Sequence, residues 1–348
     1  MRGSGYNFLS RWTHRLALQY PAIAQASFEL ENLVHPTKDQ SIRQPVFISG
    51  LARSGTTILL QYLHQTGEFG SLTYRDMPFV LMPHTWRKLS RGDKSSESQE
   101  RAHRDGIRIG QDSPEGFEEI FWRIFCGANY IKDDKLTLHE VSTDASDKFK
   151  KFATHVAGLD GDERYLSKNN NNILRLDYLK KTFPDATIVV PFRRPLQHAI
   201  SLLGQHQLFC DLQQADRFTL NYMNWLGHFE FGEGQKPFFL GDEMLFEQMM
   251  SYPKTDINFW LLTWKNYYQY LNQHLTDSVV LFDYDAFCAD PVTMLSQLYK
   301  RLAIEKETVR QAPFVPKTRI VDGVNETILK DCERIYAELK QKAERQWD

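Results

Sequence analysis

The sequence has no excess charge of either sign, no long apolar run and few cysteines. Its 42 basic and 44 acidic residues give a formal net charge of −2, so the chain has no general attraction for nucleic acid or for an anionic membrane. No stretch approaches the roughly 20 apolar residues that cross a bilayer, and the N-terminus lacks the apolar segment of a signal peptide. We therefore expect a cytoplasmic protein with no transmembrane segment and no nucleic-acid partner, in which any anion-binding site is local.

The cysteines are too far apart in the sequence for C-x-x-C or other metal-type spacing. They are Cys126, Cys210, Cys288 and Cys332. Such spacing is typical of reduced, mostly buried thiols in a cytosolic protein. The sequence therefore predicts neither a disulfide framework nor a metal site.

A loop bounded by glycines lies between a short apolar run and a helical pattern. Residues 45–48 predict a strand, residues 50–57 read Gly-Leu-Ala-Arg-Ser-Gly-Thr-Thr, and residues 58–64 predict a helix. Backbone N–H groups at a helix N-terminus are unpaired and partly positive, so this segment, the phosphate loop, can hold an anion without a metal. Its spacing is that of the nucleotide P-loop, but Thr56 stands where ATP- and GTP-dependent enzymes need a Lys. Arg53 supplies a cation inside the loop instead, which indicates a different anionic group at the end of the nucleotide.

A second basic turn follows the strand predicted at residues 187–190. It reads Pro-Phe-Arg-Arg-Pro over residues 191–195 and opens a predicted helix that carries Ser201. Arg193 and Ser201 can converge on one phosphate, because the guanidinium offers a bidentate fork and the hydroxyl adds a hydrogen bond. Alone, such a turn is more typical of a solvated loop. Together with the phosphate loop, it becomes a strong indication of a second phosphate contact.

Strand and helix patterns alternate along the rest of the chain. Apolar runs predict strands at 165–168 and 279–282, and residues 173–183 predict a helix. Asp290 is typical of an N-cap for a helix that runs to Leu302. The alternation predicts an α/β fold with a central parallel sheet flanked by helices.

The two basic elements resemble those of the sulfotransferase superfamily, whose donor is 3′-phosphoadenosine 5′-phosphosulfate. In that family a strand–loop–helix written P-R/K-S-G-T-T holds the 5′-phosphosulfate, and residues 52–57 match it except that Ala52 replaces the Pro. The family's R-x-P element with a following Ser holds the 3′-phosphate, and it matches residues 193–195 with Ser201.

Three further stretches are similar to the bacterial and tyrosylprotein-type branch of the superfamily, namely residues 166–169, 179–186 and 282–291. The resemblance spans about residues 45–305 and implies a three-layer fold of P-loop type. It implies transfer of a sulfuryl group to a hydroxyl of a small-molecule, lipid or carbohydrate acceptor, with no metal required. The implied donor-binding residues are Arg53, Ser54, Gly55, Thr56, Thr57, Arg193 and Ser201.

The expected organisation is a single α/β domain over residues 45–348, preceded by an amphipathic helical extension over residues 1–44. The polar, charged segment 86–106 is expected to be a mobile insertion. The segment 205–246 is rich in aromatic residues and glycine, which is typical either of a lid on the acceptor side or of helical core. The sequence identifies neither the acceptor nor the oligomeric state.

The resemblance also implies catalytic roles. Arg53 is placed on the bridging and sulfate oxygens of the donor. Lys168 stands where the tyrosylprotein-type branch has a catalytic Lys, although a surface Lys at a strand end is the alternative. Asp76 lies nearest to the position of the branch's acid and is our first assignment for the general base. An Asp beside Arg75 is equally typical of a structural ion pair.

His84 and Glu115 are the other hypotheses for the base. His84 has a suitable intrinsic pKa of about 6.5. Glu115 begins an acidic run with Glu118 and Glu119, whose spacing puts all three on one helix face. For that run, a solvated or ion-paired face is the more typical structure. His198 and His206, near the second basic turn, are expected to be structural. The basic segment formed by Lys317, Thr318 and Arg319 is expected either to fold back to the nucleotide or to be solvated.

Two alternatives to the enzyme remain open at this point. A nucleotide-binding protein without turnover is the rival hypothesis, because Ala52 replaces the Pro and the base is undecided. A P-loop kinase is disfavoured, because Thr56 replaces the Lys that would contact the terminal phosphates.

Overall fold

The computed structural model describes residues 8–37, 42–90, 99–100, 108–159, 161, 164–305 and 320–347. The strands are β1 (Val46–Ile48), β2 (Gln99–Glu100), β3 (Arg108–Ile109), β4 (Leu136–Thr137), β5 (Leu166–Lys168), β6 (Thr187–Phe192), β7 (Phe238–Phe239) and β8 (Val279–Asp283). The helices are α1 (Phe8–Gln19), α2 (Pro21–Val34), α3 (Thr56–Gln65), α4 (Pro83–Leu89), α5 (Glu118–Tyr130), α6 (Thr143–Ala157), α7 (Leu176–Thr182), α8 (Pro195–Ala215), α9 (Arg217–Leu226), α10 (Glu243–Met250), α11 (Ile257–Gln273), α12 (Tyr284–Ala289), α13 (Pro291–Arg301) and α14 (Glu326–Trp347). Two 3-10 helices cover Tyr74–Asp76 and Asn170–Arg175.

The centre of the fold is a parallel sheet with the strand order β5-β1-β6-β8. From β1 the chain passes to β5 on one side and then to β6 on the other, so the strand order reverses beside β1. In open α/β sheets, ligands bind at such a reversal, beyond the carboxyl ends of the strands. The residues that follow β1, β5, β6 and β8 therefore meet at one edge of the sheet.

Helices cover both faces of this sheet. Val46 and Ile48 of β1 pack in one apolar cluster with residues of α3 and α13, whereas Phe47 packs on the opposite face against Phe149 of α6 and against Tyr165. This alternation follows from the two-residue period of a strand, and both faces are apolar because both are covered. The predicted α/β fold with a central parallel sheet flanked by helices is confirmed.

Most predicted elements appear close to their expected positions. The four predicted central strands are present, and β6 runs on to Phe192. The helix expected at 173–183 begins instead as a 3-10 helix and becomes the α-helix α7 at Leu176. Asp290 caps α13 as predicted, since its side chain accepts a hydrogen bond from the backbone N–H of Thr293.

The N-terminal helices α1 and α2 pack on the α/β part of the chain. α2 ends at Val34, immediately before His35. Its Phe28 is fully buried and contacts the rings of Phe121 and Phe125 in α5. The helices therefore share a hydrophobic core with the sheet's helical layer.

Some predicted features fall outside the described residues. These are residues 91–98 and 101–106 of the expected insertion, and Lys317, Thr318 and Arg319. In the part of the insertion that is described, α4 ends at Leu89, and the backbone of β2 pairs antiparallel with β3. Among the described helices, none combines the length and the apolar character needed to cross a membrane.

The start of α5 carries acidic side chains into the core. Glu118 and Glu119 are each 1% exposed, so a solvated face is the wrong structure for them. Glu119 forms an ion pair of 2.8 Å with Nη1 of Arg175 and also accepts a hydrogen bond from the hydroxyl of Tyr130. Arg175 is itself fully buried, with its guanidinium 4.6 Å from the centre of the Trp122 ring. Burial alone would raise the pKa of Glu119, but the charge and hydrogen bonds of Arg175 bring that pKa below its ordinary value.

Replacing Glu119 with Ala should lower the free energy of unfolding by about 3–5 kcal/mol, because Arg175 is left as a buried charge without its partner. Urea unfolding at neutral pH measures the difference. The matched control is Asp147→Ala, which removes an exposed acid whose ion pair with Lys150 is worth less than about 1 kcal/mol.

The same ion pair predicts a pH dependence. Because folding lowers the pKa of Glu119, its contribution to stability is present above the unfolded pKa and is lost as the pH falls through the folded pKa. The stability gap between wild type and Glu119→Ala should therefore narrow in acid. A gap that stays constant down to the acid transition contradicts the assigned ion pair.

Candidate active site

The phosphate loop connects the end of β1 to the start of α3. Arg53 has a φ of 71° and Gly55 a φ of 103°, so the backbone turns through the left-handed region twice. Gly55 is the N-cap of α3 and offers no side chain to cap it. The left-handed conformation is strained for a non-glycine residue such as Arg53, and such strain is concentrated at ligand sites. The loop thus presents the amides of a helix N-terminus in the geometry of an anion cradle.

The two basic elements predicted from the sequence meet. Nε of Arg53 donates a hydrogen bond of 3.3 Å to Oγ of Ser201, which lies in α8. One turn earlier in the same helix, Nε2 of His198 lies 2.7 Å from the carbonyl oxygen of Ala52. Helix α8, which follows the second basic turn, is therefore bonded directly to the phosphate loop.

Tyr284 is a further link between the two elements. A Cβ atom on Gly55 would lie 2.3 Å from the Tyr284 ring, so only glycine allows this approach. The guanidinium of Arg193 lies 5.5 Å from the centre of the same ring. Sequence reasoning did not assign Tyr284 to the site, although its place directly after β8, at the same sheet edge, was an available signal.

Arg193 has an unsatisfied donor. It directly follows β6, and its backbone carbonyl accepts a hydrogen bond of 3.1 Å from Nε1 of Trp264. Its Nε is buried and has no hydrogen-bond partner among the residues that the structure describes. Buried donors are rarely left unpaired, and a phosphate oxygen is a fitting acceptor for a guanidinium N–H. The residues present therefore fit a phosphorylated ligand at this point.

The two histidines of α8, His198 and His206, are neutral near pH 7, because burial lowers the pKa of each. Burial lowers the pKa of His198 to about 3, so its ring is neutral near pH 7. Its Nε2 carries the proton, since a carbonyl oxygen such as that of Ala52 can only accept. His206 accepts a hydrogen bond of 3.1 Å at Nδ1 from the backbone of Gly232. Both histidines are structural, and His198 in addition holds the phosphate loop.

Lys168 is the last residue of β5 and pairs in register with Ile48 of β1. It is only 8% exposed, so it is not a surface Lys. Its Nζ lies 3.9 Å from Oε1 of Glu115. The hydroxyl of Tyr74 donates a hydrogen bond of 3.2 Å to Oε2 of the same carboxylate. Lys168 and Glu115 therefore form a largely buried pair next to the strand that leads into the phosphate loop.

The chain passes very close to Lys168 at Gly116. A Cβ on Gly116 would lie 2.9 Å from the backbone oxygen of Lys168 and 3.0 Å from its Cδ. Nε2 of His228 lies 3.1 Å from the carbonyl oxygen of Gly116 and holds the loop from the other direction. Glu115 also lies outside α5, which begins at Glu118, so the predicted single helix face for the three acids is wrong.

A general base needs a carboxylate that can reach the acceptor hydroxyl, whereas the carboxylate of Asp76 is enclosed by other side chains of the protein. This carboxylate is fully buried and accepts hydrogen bonds from the N–H and hydroxyl of Thr73 and from two nitrogens of Arg87. Three of these bonds reach Oδ2 and one reaches Oδ1, so both oxygens of the carboxylate are already bound within the protein. Asp76 is thus the structural, ion-paired acid that the sequence allowed, although its partner is Arg87, while Arg75 pairs with Asp112.

His84 lies in α4, next to the N-terminal helices. Its Nε2 donates a hydrogen bond of 3.0 Å to the carbonyl oxygen of His155, and its backbone N–H donates to Glu31. Among the contacts of the described residues, none joins His84 to the phosphate loop. Of the three hypotheses for the base, only Glu115 contacts another predicted catalytic residue.

Several solved structures are similar to this chain. Sulfotransferase STF1 from Mycobacterium tuberculosis H37Rv is 15% identical with a TM-score of 0.49, and the match covers 99% of this chain and 87% of that one. Sulfotransferase STF9 from Mycobacterium avium is 13% identical with a TM-score of 0.48, over 95% and 77% of the two chains. A sulfotransferase from Alicyclobacillus acidocaldarius is 15% identical with a TM-score of 0.39, over 87% and 96%. No curated protein sequence matches the chain.

The model of the Sulfotransferase family matches residues 45–229, more than half of the 348 residues. This stretch begins at the strand before the phosphate loop and includes Lys168, Arg193 and Ser201. The match and the meeting of the two basic elements at the carboxyl edge of the sheet lead to the same conclusion: the chain belongs to the sulfotransferase family.

Proposed function

We propose that the protein transfers a sulfuryl group from 3′-phosphoadenosine 5′-phosphosulfate to a hydroxyl of a small-molecule, lipid or carbohydrate acceptor. Membership of the family supports the reaction type. The hydrogen bond between Arg53 and Ser201 carries the proposal for the donor, because it brings together the elements predicted for its two phosphate groups.

The donor would lie along the carboxyl edge of the sheet. The first amides of α3 and the hydroxyls of Thr56 and Thr57 would hold its 5′-phosphate, in the manner of helix N-termini that bind anions. Arg193 and Ser201 would hold the 3′-phosphate, where the buried Nε of Arg193 gains an acceptor. When bound, the donor supplies an activated sulfuryl group whose transfer leaves negative charge on the 5′-phosphate.

Arg53 and Lys168 are the cations that would stabilise this charge. Arg53 lies in the loop after β1, and Lys168 is the last residue of β5, the strand next to β1. The pairing of the two strands therefore sets the distance between the two residues. Charges fixed in advance by the fold stabilise a transition state without the cost of reorganising solvent. Lys168 is additionally held by Glu115 and by the backbone that passes at Gly116.

We assign the role of general base to Glu115 rather than to Asp76. Glu115 lies beside Lys168 and is 9% exposed. Its carboxylate would therefore accept the proton of the acceptor hydroxyl close to Lys168, the cation that would stabilise the leaving phosphate. The backbone N–H of Gly116 and the hydroxyl of Tyr74 orient the carboxylate. A base must be within hydrogen-bond reach of the proton that it removes, and the contact of Glu115 with Lys168, a proposed catalytic cation, supports this role.

The acceptor would bind beside the segment expected to be a lid. A cavity of about 20 Å³ lies next to the phosphate loop and is lined by Leu51, Ala52 and Leu202. Residues of the 205–246 segment, among them Phe229 and Phe238, also line it, together with Trp260. A cavity of this size holds about one water molecule, so acceptor binding requires this segment to move. Its mostly apolar wall supports an acceptor with an apolar body.

A reducing compartment is consistent with the cysteines. All four are free thiols. Cys332 and Cys126 are buried, and burial raises the pKa of Cys126 to about 11 and that of Cys332 to about 12. These thiols are therefore unreactive structural residues, which supports the cytoplasmic location that we propose.

Arg53→Ala and Arg193→Ala should affect different kinetic constants. Arg53→Ala should lower kcat by about 10²–10³-fold, because it removes charge stabilisation that develops in the transition state. Arg193→Ala should mainly raise the KM for the donor, by roughly 10–100-fold, because it removes charge-assisted hydrogen bonds to the 3′-phosphate. Initial rates with labelled donor over an acceptor panel measure both effects.

The matched control is Arg334→Ala, which removes an exposed ion pair with Glu338 within α14, outside the 205–246 segment, and should leave both constants unchanged. Calorimetry with adenosine 3′,5′-bisphosphate tests the donor site without any acceptor. A wild-type protein that fails to bind the bisphosphate refutes the proposed donor. Bisphosphate binding without turnover on any acceptor supports the non-catalytic alternative.

Glu115→Gln should lower kcat by about 10²–10⁴-fold and leave bisphosphate binding intact, because it removes the proton acceptor and keeps the shape of the side chain. Asp76→Asn should mainly lower the unfolding midpoint, since it weakens the bonds to Arg87. The assignment is wrong if Asp76→Asn abolishes turnover in a stably folded protein and Glu115→Gln does not.

Gly116→Ala should lower kcat by up to about 10²-fold, because the added Cβ displaces Lys168 from its place beside Glu115. Gly110→Ala, in the same connection, is the control, since a Cβ there meets nothing within 4 Å. Steady-state kinetics and bisphosphate calorimetry on both variants separate the effects on turnover and donor binding. Equal activity of the two variants would show that the position of Lys168 does not matter for transfer.

A further inference from the structure

A cluster of metal-binding side chains lies apart from the active site, where α2, α4 and α6 pack together. Glu31 of α2, His84 of α4 and His155 of α6 each place one donor atom within 4.8 Å of the others. Glu31 is fully buried, and His155 is 3% exposed. None of the three takes part in the proposed transfer.

The hydrogen bonds of the two histidines fix their tautomers. Nε2 of His84 lies 3.0 Å from the carbonyl oxygen of His155, and a carbonyl can only accept, so Nε2 carries the proton. Nε2 of His155 lies 3.0 Å from Oδ1 of Asn32, whose amide nitrogen donates to the carbonyl of Phe28 and so fixes the orientation of the amide. Each ring therefore keeps the lone pair of Nδ1, and each is oriented through its other nitrogen, as is usual for histidines that bind metal.

The carboxylate of Glu31 also retains binding capacity. Oε1 accepts one hydrogen bond, from the backbone N–H of His84, and Oε2 accepts two, from the N–H and the hydroxyl of Thr85. A carboxylate has about four lone-pair positions, so Oε1 has one left. Within the described part of the chain, no Lys or Arg forms an ion pair with Glu31. A buried carboxylate without a cation is energetically unfavourable, so the contacts with α4 explain the burial of Glu31 only in part.

We propose that Glu31, His84 and His155 bind a zinc ion. Two imidazole nitrogens and one carboxylate oxygen form a donor set that suits Zn²⁺, with water in the fourth position. The donors of a tetrahedral zinc site lie about 3.3 Å apart, so side-chain rotation must draw these atoms together by up to about 1.5 Å. The ion neutralises Glu31 and joins the N-terminal helix α2 to α4 and α6.

The site is structural and separate from sulfuryl transfer, for which no metal is expected. Binding of Zn²⁺ to the folded chain alone stabilises it by mass action, so the unfolding midpoint should rise with free zinc. Activity with labelled donor needs no metal in this proposal, so failure of the zinc site and failure of the proposed transfer are observed independently.

Titration of tag-free, chelator-treated protein tests the site. Co²⁺ should give the visible d–d absorption of a four-coordinate ion at one equivalent, and Zn²⁺ should displace it; calorimetry gives the zinc affinity. His84→Ala and His155→Ala should weaken Zn²⁺ binding by at least about 10²-fold and abolish the cobalt absorption, because each removes a ligand. Both variants should also lose the rise of the unfolding midpoint with zinc.

His274→Ala is the matched control, since this His lies at the end of α11 and stacks on Tyr270. It should bind zinc as the wild type does. His84 is only partly buried and its backbone N–H still donates to Glu31 after substitution, so His84→Ala decides the question if His155→Ala fails to fold. The proposal is overturned if the wild type shows no saturable binding, or if His84→Ala retains the wild-type affinity and cobalt spectrum.

Discussion

The hydrogen bond from Arg53 to Ser201 joins the phosphate loop to α8, and the rest of the site depends on this connection. It exists because β1 and β6 are parallel neighbours, so that the loop after β1 and the helix after β6 start at the same edge of the sheet. His198 and Tyr284 add contacts between the same two elements. Arg53 and Arg193 therefore lie on linked elements, around the place where we propose that a doubly phosphorylated nucleotide binds.

Polar groups buried beneath this edge make its position rigid. Asn169, which follows Lys168, donates hydrogen bonds to Glu118 and Glu119, and Glu119 is held by Arg175. Hydrogen bonds in a buried network are strong, and an arrangement that breaks them leaves polar groups unpaired, so the network tolerates few alternatives. The end of β5 is thus tied to α5. This connection gives Lys168 and Glu115 a defined separation instead of the mobility of surface side chains.

The proposed zinc site and the proposed transfer site use charge in different ways. At the proposed transfer site the charged side chains include the cations Arg53 and Arg193. The buried Nε–H of Arg193 has no partner in the described structure. Around Glu31 the buried charge is negative, and His84 and His155 each place a donor atom close to it. In these proposals, the first site supports sulfuryl transfer, and the second supports the attachment of the N-terminal helices to the fold.

The sequence alone determined the phosphate loop, the central strands and the second basic turn, because glycine spacing, strand periodicity and helix N-terminal amides are local properties of the chain. Only the tertiary structure decided which acid lies beside Lys168, since Asp76 is paired with Arg87 and Glu115 falls outside α5. It also revealed Tyr284 as a link and placed His84 beside Glu31. Pairing and burial of a charged side chain depend on elements that are distant in sequence, and a local pattern carries no information about them.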